Sequence, residues 1–255
     1  MELSGFSKGF ISAFQSFGFV FKHRFVHFYF YSFFISLALL IVFLWLGWES
    51  ASWLAELTMA KAKNVLAYFN ISSEENSYSL VLTFIFNFIL RFLGIYLVLK
   101  FSKYILLVLL SPLFAYVSEV AEQKRTGKKY PIGFLRILKD AMRGVFIALR
   151  NMVLEVSWIF LLFVLTLLFP PLALFTAILS FVIGAYFYGF SMMDYCYERW
   201  GLSISQSIIY TRKNAGFAIG LGVAYSLWMM VPVVGWIFAS VNTAVGAAIA
   251  LENPK

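Results

Sequence analysis

Apolar residues fill long stretches of the chain, and the few polar positions mark where one stretch ends. Residues 25–48 contain no Asp, Glu, Lys or Arg, and residues 78–117 are interrupted only by Arg91, Lys100 and Lys103. A helix needs ~20 apolar residues to span bilayer hydrocarbon, so both stretches predict long transmembrane helices. The second stretch is longer than one span requires, so part of it must tilt, kink or project beyond the lipid.

Two later stretches, residues 153–193 and 215–251, each contain a proline-marked turn, at Phe169-Pro170-Pro171 and at Val231-Pro232. Each stretch predicts a helical hairpin. The first arms are short or marginal for a full span; the first of them covers only residues 156–169. Hairpins that enter and leave the bilayer from one side therefore compete with ordinary transmembrane pairs, and we favour entry from the cytoplasmic side.

The N-terminal segment, residues 1–22, predicts an amphipathic helix at the membrane surface. Five phenylalanines recur at helical spacing, and serine, lysine and glutamine occupy most of the rest of the wheel: Phe6, Phe10, Phe14, Phe17 and Phe21 against Ser7, Lys8, Ser12, Gln15 and Ser16.

Composition supports a membrane setting. The chain is 62% hydrophobic, 20% aromatic and only 13% charged, far from the balance of soluble domains. The pattern predicts an all-α polytopic membrane protein that forms one integral membrane domain over residues 1–255.

The formal net charge of +8 has a topological explanation. Residues 118–152 hold eight Lys or Arg against three acids, which predicts a cytoplasmic loop by the positive-inside rule. The more acidic residues 49–77 predict an extracytoplasmic excursion. We expect no nucleic-acid partner, because no nucleic-acid-binding motif accompanies the basic charge.

Catalytic and metal-binding patterns are missing from the sequence. One cysteine, Cys196, and two neighbouring histidines, His23 and His27, supply neither a disulfide nor a spaced set of metal ligands. No Ser-His-acid set, Cys-His pair or phosphate-cradling loop can be assembled, and Gly216, Gly220 and Gly222 have the spacing of a close-packing helix surface. We expect no enzyme, cofactor or metal.

Arg24 and His23 stand just before the first transmembrane helix. The free N–H groups and positive dipole end of that helix suit an anion, and arginine supplies paired donors to an oxyanion. The pattern also fits a cytoplasmic topology anchor that contacts lipid headgroups.

Charged residues within or just after the apolar stretches are further candidates, and for Arg91 a charge at that depth costs at least ~2.5 kcal/mol. Arg91 could line an anion path, pair with Glu155, or reach an interface. Glu119 and Glu122 could bind a cation, relay protons or form ion pairs with arginine, and Asp194 has the same alternatives. The arginines considered as partners are Arg125, Arg143 and Arg150.

The order of several short motifs resembles the CysZ sulfate-permease family, which is grouped with the etoposide-induced proteins. The resemblance covers nearly the whole chain and rests on residues 9–21 with His23-Arg24-Phe25-Val26, Ser111-Pro112, Ser118-Glu119, Glu122, Thr126-Gly127, Leu138-Lys139-Asp140, Asp194-Tyr195, Glu198, Arg212-Lys213, Gly216 and the turn at 231–235.

This resemblance implies two long transmembrane helices joined to hemi-penetrating hairpins, a homo-oligomer of two or more copies, and sulfate passage that feeds cysteine synthesis across a bacterial inner membrane. It also implies that Arg24, and less directly His23, binds sulfate. The family typically has an arginine where this chain has His23, and histidine carries less positive charge at neutral pH. The alternative function is a membrane scaffold whose basic residues 124–150 bind lipid or a partner.

Overall fold

The computed structural model describes residues 3–68, 85, 88, 92, 104, 107–127, 134–231 and 234–253. The chain divides into two compact units, one formed by Met1–Ser36 with Leu106–Lys255 and the other by Leu37–Ile105. The packing and the sites discussed below all belong to the first unit.

All regular structure in the described residues is helical, which confirms the predicted all-α fold class. One short 3₁₀ turn, Pro170–Leu172, lies among the α-helices. These are α1 (Leu3–Lys22), α2 (His27–Tyr68), α3 (Ser111–Thr126), α4 (Phe134–Leu168), α5 (Ala173–Arg199), α6 (Ile204–Lys213), α7 (Ala215–Met229) and α8 (Val234–Ala250).

Three helical segments in the described residues are long and apolar enough to cross a membrane: His27–Ser50, Met142–Leu168 and Pro170–Arg199. The last two form the first predicted hairpin, in which α4 packs against α5. The prediction that its first arm is too short for a span was wrong. It counted only the residues after Glu155, whereas α4 continues its apolar face past that charged position.

The second predicted hairpin consists of α7, with 15 residues, and α8, with 17, which pack against each other. Both are shorter than the ~20 residues of a typical span. Pro232, the proline of its turn, lies outside the described residues. Entry and exit from one side of the bilayer stays a prediction for this pair.

Several predicted boundaries are different in the structure. Residues 49–68, predicted as the start of a loop, continue α2, because the acids there are too sparse to end a helix with good intrinsic formers. Residues 118–152, predicted as a basic loop, lie mostly in α3 and α4. The side of the membrane that they face stays a prediction.

The predicted second transmembrane helix, residues 78–117, is described only at 85, 88, 92, 104 and 107–117. A new helix, α3, begins at Ser111 and runs beyond 117 to Thr126. Pro112 sits in the first turn of α3, where its missing N–H breaks no helical hydrogen bond.

Polarity is inverted relative to a soluble protein. The tip of the α4–α5 hairpin exposes large apolar side chains such as Leu167 and Leu174, at 71% and 76% of their surface. Glu122, Asn151 and Asp194 are buried. An apolar outer face of this extent is compatible with lipid rather than water.

The bundle centres on α7, which contacts α1, α5 and α8. A Cβ added at Gly220 would collide with the backbone of Phe6, and one at Gly222 with the backbone of Ala185. The predicted close-packing glycine surface is confirmed, and its two sides receive α1 and α5 respectively.

Helix α1 packs against α7 and α8 through small residues and through Phe14 and Phe17, whose rings contact Trp228 on α7 and Phe238 on α8. Its buried face consists of Gly9, Ser12, Ala13, Ser16 and Val20. Ser12 and Ser16, which we assigned to the polar side, lie inside this interface because their hydroxyls bond to the backbone carbonyls of Gly9 and Ala13.

Candidate functional site

The turn between α1 and α2 carries both sequence-predicted anion ligands, and its backbone has an unusual conformation. The Phe25 N–H donates to the Val20 carbonyl at 2.9 Å, and the Arg24 N–H donates to the Phe21 carbonyl at 3.2 Å. This is the hydrogen-bond pattern of a Schellman motif, in which the residue after the helix cap adopts a left-handed conformation. That residue is Arg24, with φ of 61°.

Arg24 is the one non-glycine residue with positive φ in the described part of the chain. Glycine is usual at this position, because a side chain there costs about 1–2 kcal/mol. The neighbouring Phe25 is buried, and its ring centroid lies 6.3 Å from that of Phe19. A strained backbone that displays an exposed guanidinium is a reason to look for function at Arg24.

His23 and Arg24 are adjacent but lie in different surroundings. The His23 ring is half-buried, with its centroid 4.4 Å from the Phe19 ring and 5.9 Å from the Phe25 ring. The Arg24 side chain is exposed. Arginine therefore offers all its donors outward, whereas the imidazole is oriented by stacking between two aromatic neighbours.

Positive groups and free amides gather around this turn. Lys22, Arg24 and His27 are exposed, and within the described residues none of them forms an ion pair. Helix α2 begins at His27, three residues later than Arg24, so Arg24 does not sit directly at the helix start as the sequence suggested. The backbone N–H of Arg24 donates to the Phe21 carbonyl and so belongs to the C-terminal cap of α1.

The amides that remain without an intramolecular hydrogen bond in this turn are those of Val26 and His27. The next two, Phe28 and Tyr29, donate to the carbonyls of Phe25 and Val26 at 3.0 Å each. The positive end of α2 thus presents two N–H groups beside the cationic side chains.

A group of buried, hydrogen-bonded polar side chains joins α1 and α2 close to this turn. The Tyr29 hydroxyl donates to Asn242 Oδ1 at 2.7 Å, and the Ser16 hydroxyl, whose single hydrogen is shared with the Ala13 carbonyl, lies 2.9 Å from the same oxygen. Asn242 is fully buried on α8. The contact ties α1, α2 and α8 together, so the turn is held by a network that sequence reasoning did not find.

Glu122, one of the predicted charged candidates, forms a buried ion pair. Its Oε2 lies 2.7 Å from the Arg199 guanidinium, and its Oε1 accepts from Trp200 Nε1 at 2.8 Å. Arg199 also donates to the Ser118 hydroxyl at 2.9 Å. Arg199, which was not among the predicted partners, therefore forms an ion pair with this acid, because the end of α5 packs against α3.

Asp194 forms the second charged pair. Arg143 donates to both of its carboxylate oxygens, at 3.1 and 2.9 Å, and to the Ser207 hydroxyl at 2.7 Å. A further donation reaches the Leu202 carbonyl. Arg143 on α4 therefore joins α5, α6 and the connection between them. Of the alternatives for Asp194, which were cation binding, proton relay and an ion pair with arginine, the structure contains the ion pair.

Two further charged candidates lie on α3 and α4. Glu119 is half-buried on α3, and Glu155 is 3% exposed on α4 within a candidate span. Arg91 lies outside the described residues. Its three alternatives, which are to line an anion path, to pair with Glu155 or to reach an interface, therefore stay predictions.

Arg199 and Asn242 were the residues missed by sequence reasoning. A partial signal was present, because Ser118 and Glu122 share one polar face of α3 by their spacing of four, but that spacing did not identify Arg199 at the end of α5. Asn242 had no comparable signal in its apolar segment. Among the described residues no cluster of three or more His, Cys, Asp or Glu could hold a metal ion.

Membrane-length apolar helices with exposed apolar faces and buried ion pairs define a polytopic helical integral membrane protein. The sequence profile described as Sulfate transporter CysZ/Etoposide-induced protein 2.4 matches residues 12–240. The match covers well over half of the chain, so the protein belongs to that family, as its motifs had suggested. No individual curated protein matches the chain significantly.

Proposed function

We propose that this protein carries sulfate, or a closely similar inorganic oxyanion, across the membrane, with Arg24 as the first anion contact and His23 as a weaker second one. The observation that carries the proposal is the exposed side chain of Arg24 on a left-handed backbone, in the same turn as the Val26 and His27 amides, which donate to no described residue. Family membership supports the choice of sulfate.

The turn supplies the groups that an oxyanion needs. A guanidinium donates two parallel hydrogen bonds to a tetrahedral or planar oxyanion, and backbone amides at a helix start add directed donors. Lys22 contributes further positive charge without a competing acid among the described residues. Such a site binds anions weakly enough to release them, which transport requires.

Passage is passive or coupled to an ion gradient in this proposal, because the sequence contains no ATP-binding motif. The physiological role would be uptake for sulfur assimilation by a homo-oligomer in a bacterial inner membrane. These parts rest on the family resemblance rather than on a residue of the site.

The alternative, a scaffold that binds lipid or a partner through residues 124–150, has less support. Three arginines of that segment are engaged within the fold: Arg125 donates to the Leu251 carbonyl at 3.2 Å, Arg143 binds Asp194, and Arg150 donates to Asn151 at 3.0 Å. Fewer cations are left for an external partner than the sequence implied.

The test is anion flux into liposomes that contain the purified protein, compared across sulfate, phosphate and chloride. Wild type should admit sulfate above empty vesicles, and Arg24→Lys, which keeps the charge but loses the paired donors, should lower sulfate flux. Lys213→Gln, at another exposed cation, is the matched control and should behave as wild type. Wild-type sulfate flux equal to that of empty vesicles would contradict the proposal.

A further inference from the structure

A groove with a wholly apolar lining lies beside the cationic turn. It has a volume of about 320 Å³, opens to the surface, and is formed by the end of α1, the start of α2 and the start of α8. Its walls are Phe21, Val26, Tyr29, Phe30, Phe33, Phe34, Ile237 and Phe238. If each methylene occupies ~30 Å³, as a water molecule does in the liquid, the groove has room for roughly ten chain carbons.

The positive charges next to the groove limit which kind of molecule would bind in it. Phe21 and Val26, which line it, directly flank the segment that carries Lys22 and Arg24. Both cations are exposed, and within the described residues neither has an acidic partner. The groove thus offers apolar walls for a hydrocarbon chain, and the two cations next to its lining residues in the chain offer positive charge for a phosphate.

We propose that this groove is a binding site for an anionic phospholipid, with one acyl chain between α1, α2 and α8 and the phosphate against Lys22 and Arg24. A zwitterionic lipid gains the same chain contacts but less from the cations. Electrostatic attraction of this kind favours the anionic headgroup by about fivefold for each cation near the membrane surface. The site does not depend on sulfate transport, although Arg24 takes part in both.

Lipid binding to the full chain in detergent, without sulfate, tests this by native mass spectrometry. The probes are phosphatidylglycerol and phosphatidylcholine with identical palmitoyl and oleoyl chains, and glycerol phosphate as a headgroup without chains. Wild type should retain phosphatidylglycerol at least about fivefold more than phosphatidylcholine. Equal retention of the two lipids, or complete displacement of phosphatidylglycerol by equimolar glycerol phosphate, would overturn the proposal.

Variants separate the two halves of the site. Lys22→Gln should reduce the preference for phosphatidylglycerol about fivefold, whereas Lys213→Gln should not change it. Ile237→Trp, which fills the groove, should lower retention of both lipids, whereas Leu167→Trp at the exposed hairpin tip should not. Wild-type lipid retention by Ile237→Trp would count against the groove.

A measurement on the wild-type protein avoids any question of folding. Phosphatidylglycerol with a photoactivatable diazirine in one acyl chain should cross-link preferentially to Phe30, Phe34 and Ile237. Cross-links spread evenly over these positions and over exposed apolar residues elsewhere, such as Phe163 and Leu174, would show general lipid contact and refute a specific site.

Discussion

Arg199 and Glu122 form an ion pair at 2.7 Å in which the two side chains are only 3% and 4% exposed. The pair joins the end of α5 to α3, and Trp200 and Ser118 satisfy its remaining hydrogen bonds. A fully paired buried charge is tolerated, but removal of either partner leaves the other charge uncompensated.

We therefore expect Glu122→Gln and Arg199→Gln each to lower the free energy of unfolding by about 3–5 kcal/mol. The double variant should be destabilised by much less than the sum, because it buries no unpaired charge. Thermal unfolding of the purified protein in detergent measures all three. Additive effects of the two substitutions would show that the pair is not coupled.

Two glycine-to-alanine changes should have opposite effects on stability. Gly222→Ala places a Cβ against the backbone of Ala185 and must separate α7 from α5, so we expect destabilisation of at least ~2 kcal/mol. Gly18→Ala on α1 meets no atom within 4 Å and should stabilise by roughly 0.5–1 kcal/mol through helix propensity. Melting temperatures of the two variants, compared with wild type, test the close packing. Similar values for both would contradict it.

Arg143 and Lys139 provide a matched pair of cations one turn apart on α4. Arg143→Gln removes the partner of buried Asp194 and should destabilise by about 3 kcal/mol, whereas exposed Lys139→Gln should change stability by no more than ~0.5 kcal/mol. Chemical denaturation resolves this difference. Equal stability of the two variants would argue that the basic segment faces outward, as the scaffold hypothesis requires.

Glu155 is buried within a candidate span, and pairing with it is one of the three alternatives that the sequence leaves open for Arg91. If the two residues pair, Glu155→Gln and Arg91→Gln should show a coupling energy above ~1 kcal/mol in a double-mutant cycle. A reduced sulfate flux by Arg91→Gln without any coupling to Glu155 would instead assign Arg91 to the anion path.

Sequence reasoning predicted the features that depend on one segment at a time. The absence of charges in residues 25–48 predicted a span, and the spacing of Gly220 and Gly222 predicted a packing surface, because both follow from local composition. The arms of the first hairpin were misjudged because Arg150 and Glu155 lie inside α4 without ending it. A helix in a bundle can carry charges when its neighbours satisfy them.

The features that depend on two distant segments could not be predicted. Glu122 and Arg199 are far apart in the chain, and only the packing of α3 against α5 brings them together. The backbone of the turn between α1 and α2 could not be predicted either. The sequence identified Arg24 as a candidate anion ligand, but its left-handed conformation arises from the Schellman hydrogen bonds of α1 and the buried Phe25. A non-glycine residue there gave no sign of its backbone conformation in the sequence.

Arg24→Gly separates the anion contact from the backbone strain, because glycine keeps the left-handed backbone and removes the arginine side chain. Sulfate affinity and melting temperature should be measured on the same purified samples. We expect equal or higher thermal stability together with at least about tenfold weaker sulfate binding, because one charged hydrogen bond is worth ~1.5 kcal/mol. Unchanged sulfate affinity in a stable Arg24→Gly protein would contradict the assignment of Arg24 as the first anion contact.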